Sequence, residues 1–188
     1  MSELRSPAEI DQMRPAGRFV AEVLTALVEK ADVGVNLLEL DALAHRMIRE
    51  RGAESCYIDY HPSFGAMPFG KVLCTSVNDA VLHGLPHDYT LADGDLVSLD
   101  FAASVDGWVA DSAASVVVGT PPPLAPVLLD NTQPAPAAAN EQARPRRPVG
   151  AILARLAACA RRRGLPTNAP VGGHGVGRTM HGDPHIPN

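Results

Sequence analysis

The sequence predicts an α/β (α+β) chain in which helices cover a sheet, and three observations carry the prediction. Two amphipathic segments near the N-terminus each open on a helix-capping signal. The stretch that follows, from about Tyr57 to Gly119, is rich in β-branched residues in alternation. Within it, Asp93-Gly94 and Asp106-Gly107 are dipeptides of the two-residue hairpin turn.

The first helix is predicted from "SPAE", with Ser6 as N-cap, Pro7 at the first helical position and Glu9 completing a capping box. Its apolar spacing continues through Phe19, Val23, Leu24, Leu27 and Val28, while Pro15 predicts a kink or a later start. A second helix is expected from Asn36, with Glu39 three residues on, through Leu40, Leu43 and Met47 to a stop at Gly52. Residues 121–148 lie in "TPPPLAPVLLDNTQPAPAAANEQARPRRP", dense in Pro and Ala with no sustained period, which predicts an irregular linker. A last helix is expected in "VGAILARLAACARRRGLP", where Arg161–Arg163 complement the helix dipole and Gly164 caps the end. That placement accounts for the arginines without a binding patch. A glycine-rich tail follows, and no internal repeat is present. The length of 188 residues suits a single domain over 1–188.

Composition narrows the function classes. At 46% hydrophobic the chain can bury a core. A net charge of −5 and a pI near 5.7 argue against a duplex nucleic acid or an anionic membrane as partner. Cys56, Cys74 and Cys159 form no CxxC pair and no disulfide framework. "MSELRSPAEIDQMR" is polar and mixed in charge, unlike a signal peptide, and no apolar run approaches the ~18 residues of a membrane span. A soluble protein in a reducing cytoplasm is expected.

"LDFAASVDGWVADSA", residues 99–113, carries the chemistry. Asp is disfavoured inside strands, and a buried unpaired carboxylate is costly, so Asp100 needs compensation. A turn at Asp106-Gly107 pairs Val105 with Trp108 and Ala102 with Asp111. Asp100, two residues before Ala102, then shares a face with Asp111 as its diagonal neighbour. Two carboxylates on one spot repel unless a proton or a cation lies between them, and a divalent metal with hard oxygen ligands resolves this. The plainer alternative, two aspartates on a solvated strand surface, stays open at this point. Three histidines add candidates: His83 at the end of a strand-like run, and His174 and His181 in a glycine-rich setting that permits close backbone approach. Each taken alone suits a structural histidine as well as a ligand.

Together, "CTSVNDAVLHGLP", "DGDLVSLDFAASVDGWVADSAASVVVG" and "GGHGVGRTMHGDPHIPN" resemble type I methionine aminopeptidase over residues 6–120 and 164–188. The resemblance implies the pita-bread fold, two pseudo-symmetric halves around a curved sheet that cradles two divalent ions (Co, Mn, Fe or Zn). It implies removal of the initiator methionine from nascent polypeptides, with transient ribosome association. By the same resemblance Asp100, Asp111 and His174 are metal ligands, with Asp111 bridging. His83 and His181 are catalytic and touch substrate near the scissile amide. Tyr60, Phe69, Cys74, Trp108 and Met180 are candidates for the methionine pocket. The family's two glutamate ligands follow the "GHGVGR" segment on later strands, beyond Asn188. The expectation is therefore an incomplete second half, three of five metal ligands and reduced turnover. Pro134 and Pro136 fall where the family has a helix. A non-catalytic pita-bread module that binds peptides or proteins is the alternative, and metal content separates the two.

Overall fold

The computed structural model describes residues 3–61, 67–144, 146–161, 164 and 171–187. They divide into two compact units, a larger one built from Leu4–Pro121 with Val176–Met180, and a smaller one built from Pro122–Gly175 and the segment from His181 onward.

The larger unit begins with α1 (Pro7–Lys30) and α2 (Leu37–Arg51), followed by strands β1 (Glu54–Ser55), β2 (Cys74–Val77), β3 (Leu96–Val105) and β4 (Trp108–Val117). Both predicted capping boxes form. Ser6 and Glu9 close one, Asn36 and Glu39 the other, so each helix starts where its first orphan amides find acceptors. Gly52 ends α2 in the left-handed conformation at φ 66°. Pro15 lies inside α1 and does not delay its start. The apolar stripe over Ala16, Phe19, Val23 and Leu27 is buried, and that burial offsets the missing amide of Pro15.

β3 is the centre of an antiparallel sheet, with β1 and β2 on one edge and β4 on the other. Asp106 and Gly107 adopt φ 53° and 71°, the double positive φ of a tight hairpin turn, and Val105 pairs with Trp108 as expected. That register gives β3 two faces. Val97, Leu99, Phe101, Ala103 and Val105 join α1 and α2 in the main core, where the Phe19 and Phe101 rings meet edge to face at 6.2 Å. Ser98, Asp100, Ala102 and Ser104 point the other way.

The smaller unit contains α3 (Leu124–Thr132), α4 (Pro134–Asn140) and α5 (Val149–Arg161), then β5 (Gly172–Gly175) paired antiparallel with β6 (Gly182–Pro187). The irregular linker expected over 121–148 is corrected here: most of it is helical, including the Pro134 and Pro136 region. The prolines do not forbid this, because Pro126, Pro134 and Pro136 sit in first turns, where no amide is needed for an intrahelical bond. The last helix forms where predicted, and the Gly164 amide donates to the Arg161 carbonyl at 3.1 Å. Arg162 and Arg163 of the expected cluster lie outside the described residues. Among the described residues no helix is long and apolar enough to cross a membrane.

Candidate functional site

Asp100 and Asp111 occupy one face of the β3–β4 hairpin. Asp100 pairs across with Ala113 and Asp111 with Ala102, which makes the two carboxylates diagonal neighbours. Backbone positions in that relation are roughly 7–8 Å apart, within side-chain reach of a common point. Their surroundings on this face are small: Ala102, Ala113, Ser98 and Ser115, the two serines sharing a hydrogen bond of 2.8 Å. On the other side of β3, Cys74 pairs with Asp100, and it is buried.

Tyr57 donates to Asp100, and it is a residue that sequence reasoning does not single out. Its phenol donates to Asp100 Oδ1 at 2.9 Å. The ring is buried with Cys74 and Ala102, and meets Phe69 edge to face at 5.8 Å. Burial, then the charges of Asp100 and Asp111, push the Tyr57 phenol far above its ordinary pKa, so it remains a donor. The same order of causes pushes the Cys74 thiol up. Cys56 rises to about 11, from burial first, then Asp111 and Glu54. Both aspartates thus lie near the same buried groups. Little in the sequence announces Tyr57, because it meets Asp100 across 43 positions of chain.

Of the residues expected around a methionine side chain, Phe69, Cys74 and Met180 gather on the Tyr57–Ala102 cluster. Tyr60 is exposed, and its backbone carbonyl accepts from the Phe69 amide. Trp108 is a correction. It pairs with Val105 on the helix-covered face, opposite Asp100 and Asp111, and its indole donates to Gln12 on α1. It does not line the carboxylate face.

His83 also differs from expectation. The strand ends at Val77, and His83 sits exposed in the following loop with φ 57°. The loop is fastened to β2, since the Thr75 amide donates to the Gly84 carbonyl and the Gly84 amide to Ser76 Oγ. Only glycine fits at 84, because an added Cβ would overlap the Thr75 carbonyl.

In the smaller unit, His174 lies on β5 and His181 just before β6, with their rings edge to face at 4.5 Å. His185, not noted from the sequence, is the register partner of His174. The glycines around His174 serve close approach: a Cβ at Gly172 or Gly175 would overlap β6 backbone. Among the described residues no group of three or more His, Cys, Asp or Glu side chains is placed to hold a metal ion, and the carboxylate face presents two, Asp100 and Asp111. Those two fit a divalent cation by chemistry: hard oxygens, like charges held on one face, small neighbours and one fixed donor.

Helices over one sheet face and paired carboxylates on the other give the frame and two hard-oxygen donors that a metal-dependent hydrolase can use. The model of metallopeptidase family M24 matches residues 11–188, and the chain belongs to that family. It is 40% identical to a methionine aminopeptidase of Aquifex aeolicus over 99% of this chain and 72% of that protein. It is 37% identical to methionine aminopeptidase 1 of Mycobacterium tuberculosis, over 98% of this chain and 70% of that one. The crystal structure of methionine aminopeptidase from Rickettsia prowazekii superposes with a TM-score of 0.94 at 29% identity, covering 100% of this chain and 73% of that chain. The expected pita-bread fold is thereby found, spanning about three quarters of that structure. Membership in a metallopeptidase family brings divalent metal ions into its chemistry.

Proposed function

We propose that this chain is a metal-dependent aminopeptidase that hydrolyses the peptide bond after an N-terminal methionine. The observation that carries the reading is the pair Asp100 and Asp111, held on one face of a hairpin in an M24 chain whose relatives are named methionine aminopeptidases. Divalent ions, when bound, supply a Lewis acid for the scissile carbonyl and a water of lowered pKa. Asp100, Asp111 and His174 would hold them. The ring N–H groups of His83 and His181 would donate to the oxygen that gains charge as the amide is attacked. Phe69, Cys74 and Met180 offer an apolar, polarisable wall suited to an unbranched thioether, with Tyr60 at its rim. In this reading residues 1–188 act as one catalytic domain that uses divalent ions drawn from Co, Mn, Fe or Zn. The substrates are nascent chains met transiently at the ribosome in the cytoplasm.

The test is methionine release from a Met-Ala-Ser peptide by the purified chain with added Mn or Co. Release that stops with EDTA and falls at least a hundredfold in Asp111→Asn is expected. Peptide binding that persists unchanged in EDTA, with no release under any metal, would replace this reading with a binding module.

A further inference from the structure

We propose that Tyr57 is a positioning residue for the carboxylate pair, setting the orientation in which Asp100 meets a divalent cation. The inference rests on the reading of Asp100 as a metal ligand and adds a residue that this reading does not contain.

Tyr57 is held rigidly before it touches Asp100. Its amide donates to Ser55 Oγ at 3.2 Å and its carbonyl accepts from the Tyr60 amide at 2.9 Å. The neighbouring Cys56 amide reaches the Ala102 carbonyl on β3, which pins the segment beside the carboxylate strand. The ring is buried, with Phe69 against it edge to face and Cys74 and Ala102 in the same cluster. A phenol so fixed directs its O–H at one place, Asp100 Oδ1 at 2.9 Å. Donation to that oxygen restricts rotation of the carboxylate, and ligand affinity depends on such outer contacts.

A second Tyr–Asp pair in the same unit shows what a purely structural version looks like. Tyr89 donates to Asp95 Oδ2 at 2.9 Å, and Asp95 also accepts from Asn78 Nδ2 and the Ala92 amide. That carboxylate closes the turn that precedes β3. Asp100 shares its face with Asp111, its diagonal neighbour across the β3–β4 hairpin. Fold stability alone gives no reason to set a second carboxylate there, whereas a cation does.

The experiment compares Tyr57→Phe, Tyr89→Phe and Asp100→Asn in the full chain, reading Co(II) affinity by titration, the visible Co(II) absorption band and the thermal midpoint. Tyr57→Phe removes one oxygen and keeps the ring packing. It is expected to weaken Co(II) binding roughly tenfold or more and to shift the absorption band. Tyr89→Phe should lower the midpoint and leave affinity and band unchanged. If Tyr57→Phe behaves like Tyr89→Phe while Asp100→Asn abolishes binding, the positioning role is overturned and the metal reading stands. If Asp100→Asn binds Co(II) as the parent does, the metal reading falls and the positioning role with it.

Discussion

Arg178→Ala tests the attachment of the 176–180 segment to the sheet. This segment, five residues from the glycine-rich tail, packs with the larger unit. Its Gly177 carbonyl accepts from the Val109 amide at 2.8 Å, beside the hairpin turn. The Arg178 guanidinium lies 3.7 Å from the centre of the Trp108 ring and donates to the Asp106 and Gly107 carbonyls at 3.3 and 3.0 Å. Trp108 is itself 2% exposed, with Arg5 near the same ring at 5.4 Å. Stacking of a cation on an indole contributes about 0.5–2 kcal/mol, the lower part of that range where the cation is exposed, as here. The two carbonyl contacts are solvent-accessible, and together add about 1 kcal/mol. The expected loss is therefore about 1.5–2 kcal/mol, or several degrees of thermal midpoint for a chain of this size.

Trp108 is the one tryptophan in the sequence, so its fluorescence reports the larger unit without averaging over the other. Arg178→Ala should lower the urea midpoint and move the emission to the red as water reaches the ring. Arg178→Lys keeps the charge but loses the planar stack and the fork, and should recover less than half of the loss. A midpoint and emission unchanged in Arg178→Ala would refute the clamp. Full recovery by Lys would refute the stacking geometry.

Two further outcomes concern titratable groups. Burial pushes the Asp95 pKa up, but donation from Ala92, Asn78 and Tyr89 outweighs it, and the folded value lies below the ordinary one. A lowered folded pKa stabilises above the unfolded value of ~3.9 and is lost as pH falls through the folded value. The stability gap between the parent and Asp95→Asn should therefore be constant above about pH 5 and shrink below about pH 4. Urea midpoints across that range check it, and a gap independent of pH would contradict the assigned bonds. For Cys56, held near 11, iodoacetamide labelling at pH 8 of metal-free protein should be slow. Asp111→Asn should speed it by roughly two- to fivefold, since burial is the larger cause and remains. Unchanged labelling by peptide mass spectrometry would separate Asp111 from the thiol.

Local signals carried the sequence reading furthest. Capping boxes at Ser6/Glu9 and Asn36/Glu39 located both helices because their bonds close within four residues. The Asp106-Gly107 turn fixed the parity of twenty strand residues, and with it the shared face of Asp100 and Asp111. That same parity already excluded Trp108 from the carboxylate face, since Val105 and Phe101 lie an even number of steps apart; assigning the indole by resemblance overrode it. From 121 to 148 the density of proline predicts an irregular chain, but what decides is position: Pro126, Pro134 and Pro136 fall in first turns. His83 lies beyond the strand because the apolar run through Val81 and Leu82 continues past the true end of β2, where Asn78 turns to φ 55°. Tyr57 was invisible, since nothing local links it to a strand 43 residues away.

The alternation along β3 separates the demands on the two faces. Leu99, Phe101 and Ala103 are fully buried against the helices, where deletion of a large side chain costs several kcal/mol through cavity formation. Between them, Ala102 joins buried Tyr57 and Cys74 in a cluster beside Asp100, too small to supply comparable hydrophobic stabilisation. Stability can therefore be supplied almost wholly by odd-numbered positions, which leaves the even-numbered ones open to a pair of like charges that a folding requirement alone would not select. The arrangement has one vulnerable point. A single residue inserted at Asp106-Gly107 would shift β4 by one and send Asp111 into the apolar face while bringing Ala110 or Ser112 out beside Asp100. The core would then hold an unpaired carboxylate and the opposite face would lose half of its charge, so the turn that sets the fold's register also sets whether two carboxylates can meet.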